Sequence, residues 1–291
     1  MATIREKCIL VRLKITEFSN QKTDPKLSRK LARLVNGSAD SFESKKTLLT
    51  CPAIKKLSKL KGIIRNQIVN PLGAPYEVGL RIMPTSLSDK LEHDYAEAEQ
   101  QWEDHKQELR GEVAKAIGSA RLRLGDAFNP SDYPTIEEIV GKFTLDIGYT
   151  LLSDTTDFRF DNLSDDRNEK LRVNIESGVN TAINDAMATV EERLVDTVRH
   201  LGEVCNKYGH DAKGKVVGRF KDSTVTKVTE LAKILPHLNL TDDPRITHAA
   251  KQLKATLATI TPDGIKNSTG ERSRVEREAK AIVADLGGIY G

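Results

Sequence analysis

The sequence predicts a mainly α-helical protein with small β elements. Only 5% of the 291 residues are aromatic and 30% are charged, a composition that favours helix over sheet. Two runs of about 40 residues carry apolar side chains at steps of three and four, which indicates two long helices. We expect a basic α+β head at 1–84, a long antiparallel helical hairpin with a β insertion at 85–215, and a C-terminal helical segment at 216–291.

The head begins with a stretch from Cys8 to Thr16 in which apolar and charged residues alternate, the pattern of a strand with one polar face. Basic helices are predicted at 25–35 and 52–69, and a short strand at 76–83, before Pro84. The second of these helices lines one face with apolar residues: Ile54, Leu57, Leu60, Ile64 and Ile68.

The hairpin is predicted from two stripes of similar length. The first helix, at 86–128, carries Leu87, Leu91, Tyr95, Ala98, Trp102, Leu109, Val113, Ala116, Ala120 and Leu124. The second, at 164–208, carries Leu171, Ile175, Val179, Ile183, Ala186, Val190, Leu194, Val198, Leu201 and Cys205. Each helix is roughly 60 Å long and needs a partner along its length, so a homo-oligomer is expected. Between them we predict a strand at 143–150, paired with 157–161.

Shorter helices are predicted at 223–235, 243–259 and 272–286, the first stopped by Pro236. No run of about 18 apolar residues occurs, so no membrane partner is expected. Three widely separated cysteines fit free thiols in a reducing compartment, and the cytoplasm is predicted. Cys205 is expected to be buried on its stripe, and Cys51, in a loop, to be the most accessible thiol.

No catalytic residue, metal site or cofactor is predicted. The chain has no glycine-rich phosphate loop, no Cys-x-x-Cys and no His-Glu-x-x-His, and its six histidines lack ligand spacing. One acidic run resembles a cation loop in composition but lacks the glycine and terminal glutamate of an EF-hand, and a solvated loop is the better interpretation. This run comprises Asp154, Asp157, Asp161, Asp165 and Asp166.

A basic cluster in the head is the strongest functional signal. Residues 1–70 hold 16 Lys/Arg against 5 Asp/Glu, whereas residues 71–170 hold 11 against 21. Together with Lys22, the candidate nucleic-acid-binding or docking residues are Lys26, Arg29, Lys30, Arg33, Lys45, Lys46, Lys55, Lys56, Lys59, Lys61 and Arg65. Such a density of cations neutralises phosphates independently of base sequence. Two alternatives stay open: a solvated surface, and docking on the acidic middle of a neighbouring copy.

Three phrases resemble a family of uncharacterised proteins from tailed bacteriophages, and the similarity runs along most of the chain. They are Leu-Arg-Leu-Gly-Asp-Ala-Phe-Asn-Pro-Ser-Asp-Tyr-Pro at 122–134, Asp-Phe-Arg-Phe at 157–160, and Phe-Lys-Asp-Ser-Thr-Val with Leu-Pro-His-Leu-Asn-Leu-Thr-Asp-Asp-Pro within 220–244. The resemblance implies expression in the host cytoplasm and a phage or host protein as partner, with an AAA+ ATPase as one candidate. It implies no activity.

The predicted function is therefore a non-enzymatic phage assembly or adaptor protein that acts through oligomerisation and protein–protein contacts. The alternative is a sequence-independent DNA- or RNA-binding accessory protein of phage replication or recombination that uses the basic head.

Overall fold

The structure is a computed structural model that describes residues 4–152, 163–210, 213 and 215–287. It is mainly helical with small antiparallel sheets, which confirms the predicted fold class. The helices are α1 (Ile4–Lys7), α2 (Pro25–Leu34), α3 (Pro52–Ile63), α4 (Ser88–Leu124), α5 (Ile136–Gly141), α6 (Asp165–Lys207), α7 (Asp222–Leu238), α8 (Pro244–Leu257), α9 (Pro262–Asn267) and α10 (Thr269–Gly287). The strands are β1 (Cys8–Thr16), β2 (Gln21–Thr23), β3 (Lys45–Thr47), β4 (Ala74–Glu77), β5 (Leu80–Pro84), β6 (Thr144–Thr150), β7 (Gly209–His210) and β8 (Val216–Val217).

The chain forms two compact units, and each is discontinuous in sequence. Unit 1 comprises Met1–Arg12, Asn70–Asp89 and Tyr149–Gly291, and unit 2 comprises Leu13–Val69 and Lys90–Gly148. The boundaries predicted at 84/85 and 215/216 do not coincide with these units. In particular, 85–215 is not one compact unit, because most of α4 lies in unit 2 whereas α6 lies in unit 1. The pairing of α4 with α6 as a hairpin stays a prediction.

Unit 1 contains a small antiparallel sheet. β4 and β5 form a hairpin around Gly79, whose φ of +79° suits glycine, and β5 pairs with the first half of β1 from Cys8↔Pro84 to Arg12↔Leu80. The single strand predicted at 76–83 is therefore wrong, because the backbone reverses at Val78 and Gly79. The predicted pairing of 143–150 with 157–161 involves a segment that lies outside the described residues.

The helices of unit 1 pack around α6, whose most extensive contact is with α10. The two helices approach closely at Gly202, where an added Cβ would lie 3.1 Å from the Cβ of Ala279. The α6 stripe is buried from Val179 to Cys205, whereas Leu171 near its start is exposed. The periodicity therefore predicts which face of α6 is buried over most of its length.

Pro236 does not stop α7, which continues to Leu238. Pro236 has no N–H to donate to the carbonyl four residues earlier, and the helix ends two residues after it. Asn239 is the C-terminal cap of the helix, and its backbone N–H donates to the Leu235 carbonyl. Its side chain holds the turn into α8 by accepting from Asp243 N at 2.8 Å and donating to Asp243 O at 2.8 Å.

Unit 2 is built from the second half of β1, which neighbours β6, and from α2, α3, α5 and most of α4. Thr16 of β1 donates to the Lys142 carbonyl at 2.6 Å. α3 is held to α4 by Glu112, whose carboxylate accepts the free N–H of Ala53 in the first turn of α3. The α4 stripe is buried from Leu91 to Ala120, as the sequence predicts. No helix in the described ranges has the length and apolarity that a membrane span requires.

All three cysteines are buried free thiols, and burial raises the pKa of Cys8 and of Cys205 to about 11. The burial of Cys205 was predicted. Cys51 lies in the loop before α3 and is the most exposed of the three, as predicted, but with 7% exposure it too is buried.

We expect none of the three thiols to react within minutes with a disulfide reagent at pH 8 in the folded protein. The nucleophile is the thiolate, which both burial and the raised pKa suppress. Because the unfolded chain ionises its thiols near pH 9 and the folded chain does not, stability should fall as pH rises from 9 towards 11. Ser119→Cys, on an exposed position of α4, is the control that should react at once. Fast labelling of native Cys205 would contradict the assignment of its face.

Candidate functional site

The first element of the basic cluster, α2, has a well-defined start. Asp24 caps it by accepting from the N–H groups of Lys26 at 3.0 Å and Leu27 at 3.1 Å, and Pro25 occupies the first helical position. Ser28 and Ala32, four residues apart, form its buried face. The other residues of the helix are exposed, so most of its surface faces solvent.

Four cations share one exposed side of α2. Lys26, Arg29, Lys30 and Arg33 lie at steps of three and four, so they point in similar directions. All four are exposed, and none makes an ion pair with another residue of the described part of the chain. Their charge is therefore available to a partner.

An apolar stripe runs beside these cations. Leu27, Leu31 and Leu34 recur at steps of four and three, and Val35 follows the helix; Leu34 is 73% exposed and Val35 54%. Isolated exposed leucines are ordinary, but a helical stripe of them marks an interaction face. We call the four cations and these four apolar residues the α2 surface.

The cations of α3 are partly neutralised within unit 2. Lys56 pairs with Glu108 of α4 at 2.8 Å, and Lys61 pairs with Glu17. Lys55, Lys59 and Arg65 are exposed, and none of them has an ion pair in the part of the chain that the structure describes. The α3 cations have no comparable stripe of exposed leucines beside them.

Lys46 corrects the predicted site. Side chains alternate along β3, so Lys45 faces solvent, where it pairs with Glu43 at 3.3 Å, and Lys46 faces inwards with 8% exposure. Its ammonium donates to the Ala127 carbonyl at 2.6 Å and lies 2.8 Å from Asp132 and 3.5 Å from Asp24. Lys22 reaches Asp132 from the solvent side at 2.7 Å. Lys46 is thus a structural residue and not part of a binding surface.

The charges of this Lys46 network stabilise one another. Desolvation alone would raise the pKa of Asp132, but hydrogen bonds and charge from Lys22 and Lys46 outweigh it, and the pKa is lowered. Desolvation likewise opposes the charged form of Lys46, yet Asp132 and Asp24 raise its pKa. The pKa of Asp24 is lowered, chiefly by the N–H of Leu27. At neutral pH all three groups are ionised.

Among the described residues, no three His, Cys, Asp or Glu side chains are placed to hold a metal ion. Of the acidic run singled out in the sequence, Asp165 and Asp166 begin α6, whereas Asp154, Asp157 and Asp161 lie outside the described residues. A groove of about 780 Å³ lies between α7 and α8 and is lined largely by apolar or small residues, among them Ala232, Ile246 and Ala250. Its walls carry lysines but no nucleophile–base pair.

No family model, curated protein or solved structure matches this chain. The resemblance to phage proteins therefore stays a prediction. The feature that sequence reasoning missed is the leucine stripe of α2. Its spacing is visible in the sequence, but such a stripe ordinarily predicts burial, and only the structure places it on the surface.

Proposed function

We propose that this chain is a non-enzymatic assembly or adaptor protein that binds protein partners, including a second copy of itself, through the α2 surface. The observation that carries the proposal is the juxtaposition, on one ten-residue helix, of four cations without an ion pair in the described chain and an exposed leucine stripe. A basic amphipathic helix is a common form of partner-binding element.

The leucine stripe favours protein over nucleic acid as the partner. A phosphate backbone is neutralised by cations alone, so a nucleic-acid surface gains nothing from Leu27, Leu31 and Leu34. A protein partner can bury the exposed part of the three leucines, which is 41% of Leu27, 39% of Leu31 and 73% of Leu34. Each then contributes the corresponding part of the about 1.5–3 kcal/mol that full burial of an exposed leucine provides. Cations at the rim then steer the encounter and fix the register.

The partner chemistry that fits is an acidic helix face, and α4 of a second copy offers one. Glu92 and Glu99, seven residues apart, share an exposed face of α4, and Glu103 continues this face but pairs with Lys106 at 2.8 Å. This is the same charge complementarity between basic head and acidic middle that the sequence suggests. Assembly in the cytoplasm of a phage-infected host, and recruitment of a further protein such as an AAA+ ATPase, belong to the same proposal.

The two long stripes of α4 and α6 are already buried in a single copy of the chain over most of their length. Neither α4 nor α6 therefore requires a second copy to cover its apolar face. Self-association would therefore use α2, whose exposed apolar area is small. We therefore expect a weak, concentration-dependent association and not an obligate dimer.

Sequence-independent nucleic-acid binding is the second candidate function. Its support is the set of seven exposed cations on α2, on α3 and in the segment directly after α3 that have no ion pair among the described residues. Such binding would fall steeply with salt in proportion to the phosphates contacted.

Sedimentation velocity over a concentration series tests the proposal. We expect the apparent mass of the wild type to rise above 32.3 kDa with concentration and to fall back in high salt. A leucine variant (Leu27→Ser, Leu31→Ser, Leu34→Ser) and an α2 cation variant (Lys26→Gln, Arg29→Gln, Lys30→Gln, Arg33→Gln) should both stay monomeric. The matched control on α3 and the segment after it (Lys55→Gln, Lys59→Gln, Arg65→Gln) should associate like the wild type.

A mass of 32.3 kDa at every concentration would contradict self-association. A gel shift with single- and double-stranded DNA and RNA at two salt concentrations then decides between the candidates. Retention that both cation variants weaken and the leucine variant leaves unchanged would establish the nucleic-acid function instead. All the substituted side chains are exposed, so circular dichroism should show an unchanged fold.

A further inference from the structure

Two arginines of unit 1 bind the same short loop. Arg81 of β5 donates through Nη2 to the carbonyls of Asn70 at 3.1 Å and Gly73 at 2.6 Å. Arg193 of α6 donates through Nη1 to the carbonyl of Pro71 at 2.7 Å. The three carbonyls belong to four consecutive residues, so both guanidinium groups contact the same turn of backbone, and the charge of Arg193 acts on Arg81.

The two positive charges have no carboxylate counter-ion among the residues that the structure describes. Neither arginine makes an ion pair with any residue that the structure describes, although both side chains are partly buried. Burial lowers the pKa of Arg193, and burial followed by the charge of Arg193 lowers the pKa of Arg81. Partly buried charges are normally paired, because desolvation of an unpaired ion is costly. Carbonyl dipoles offset part of this cost but leave a net charge of two.

Most of the hydrogen-bond donors of this pair are also unused. Each guanidinium offers five N–H groups in a planar fork. The backbone carbonyls of the loop take three bonds, and Nε of Arg81 is buried without a partner. The donors left for a ligand are those of Nη1 of Arg81 and most of the fork of Arg193, and guanidinium donors of this kind hold a phosphate through charge-assisted N–H···O bonds.

We propose that Arg81 and Arg193 together form a binding site for a phosphate group. A phosphate carries close to two negative charges at neutral pH, which matches the two guanidinium charges, whereas a single carboxylate would leave one of them uncompensated. The site shares no residue with the α2 surface, so it stands or falls independently of the proposed assembly function. Free phosphate and a phosphate monoester present the same chemistry to it.

Thermal unfolding in the presence of inorganic phosphate tests this site. We expect Tm to rise by about 3 °C once phosphate exceeds its Kd by tenfold and then to increase with the logarithm of phosphate concentration, with sodium chloride adjusted to hold ionic strength constant. Adenosine monophosphate should give a similar rise if the site accepts a monoester. Acetate should give none, and an equal response to acetate would overturn the assignment to phosphate.

Variants place the effect at the two arginines. Arg193→Gln should abolish the phosphate response, and Arg193→Lys should weaken it, since an ammonium keeps the charge and loses the fork. Arg199→Gln, on an exposed position of the same helix, should respond like the wild type. Line broadening of the ³¹P resonance on titration into each folded variant gives a readout that does not depend on stability. Absence of saturable binding to the wild type, or its full retention in Arg193→Gln, would overturn the proposal.

Discussion

Replacing Leu194 by aspartate is expected to unfold unit 1 or to leave it far less stable. Leu194 has no exposed surface and lies in the middle of the buried α6 stripe. Loss of a fully buried leucine side chain costs about 2–5 kcal/mol, and the aspartate adds a buried charge without a partner. The sum is comparable with the whole stability of a typical domain, about 5–15 kcal/mol. Urea unfolding followed by circular dichroism at 222 nm measures the change.

Leu171→Asp is the matched control on the same helix. Leu171 belongs to the same predicted stripe but is 37% exposed and lies two turns into α6. We expect its substitution to change the free energy of unfolding by less than about 0.5 kcal/mol. If Leu194→Asp proves too unstable to purify, Leu194→Ala should still lose about 2–5 kcal/mol. Equal effects of the two aspartate variants would show that the burial along α6 is wrong.

The sequence predicts the helices of this protein well because their information is local. The stripes of α4 and α6 are periodic over ten positions each, and the residues at their centres are buried as expected. Capping signals such as Asp24 and Pro25 also fix the start of α2. Such features need no knowledge of what a helix packs against.

Which elements pack together is not local information, and there the sequence predictions fall short. The α6 stripe is compatible with any long apolar partner, and within unit 1 its most extensive contact is with α10, roughly 80 residues away in sequence. The split of residues 85–215 between two units follows from such choices of partner. Periodicity identifies which face of a helix is buried but not which element packs against that face.

The candidate site was predictable as a cluster but not residue by residue. Net charge places the cationic cluster in residues 22–65, and seven of its cations are exposed without an ion pair in the described regions. The neutralised ones depend on carboxylates far away in sequence, such as Glu108 for Lys56 and Asp132 for Lys46. A count of charges does not contain these pairings.

Lys46→Met is expected to lower the free energy of unfolding by the second largest amount. The neighbouring substitution Lys45→Met should leave it almost unchanged. Methionine fills a similar volume but leaves the buried carboxylate of Asp132 with the exposed ammonium of Lys22 alone. Removing one partner of a buried ion pair costs about 3 kcal/mol. The pair between Lys45 and Glu43 is exposed, and such pairs contribute about 0–1 kcal/mol. Urea unfolding of the two single variants side by side gives the comparison.

The dependence on pH identifies the charge as the cause. The pKa values of Asp132 and Asp24 are lowered from 3.8 in the folded protein, so the stability they contribute is present above that value and is lost as the pH falls through their folded pKa. Lys46 has a raised pKa, so its contribution is complete below 10.5 and is lost as the pH rises through the folded value. The stability difference between the wild type and Lys46→Met should therefore be constant from about pH 5 to 9 and shrink in acid below about pH 4. A difference that persists unchanged in acid would assign the loss to packing of the lysine stem and not to its charge.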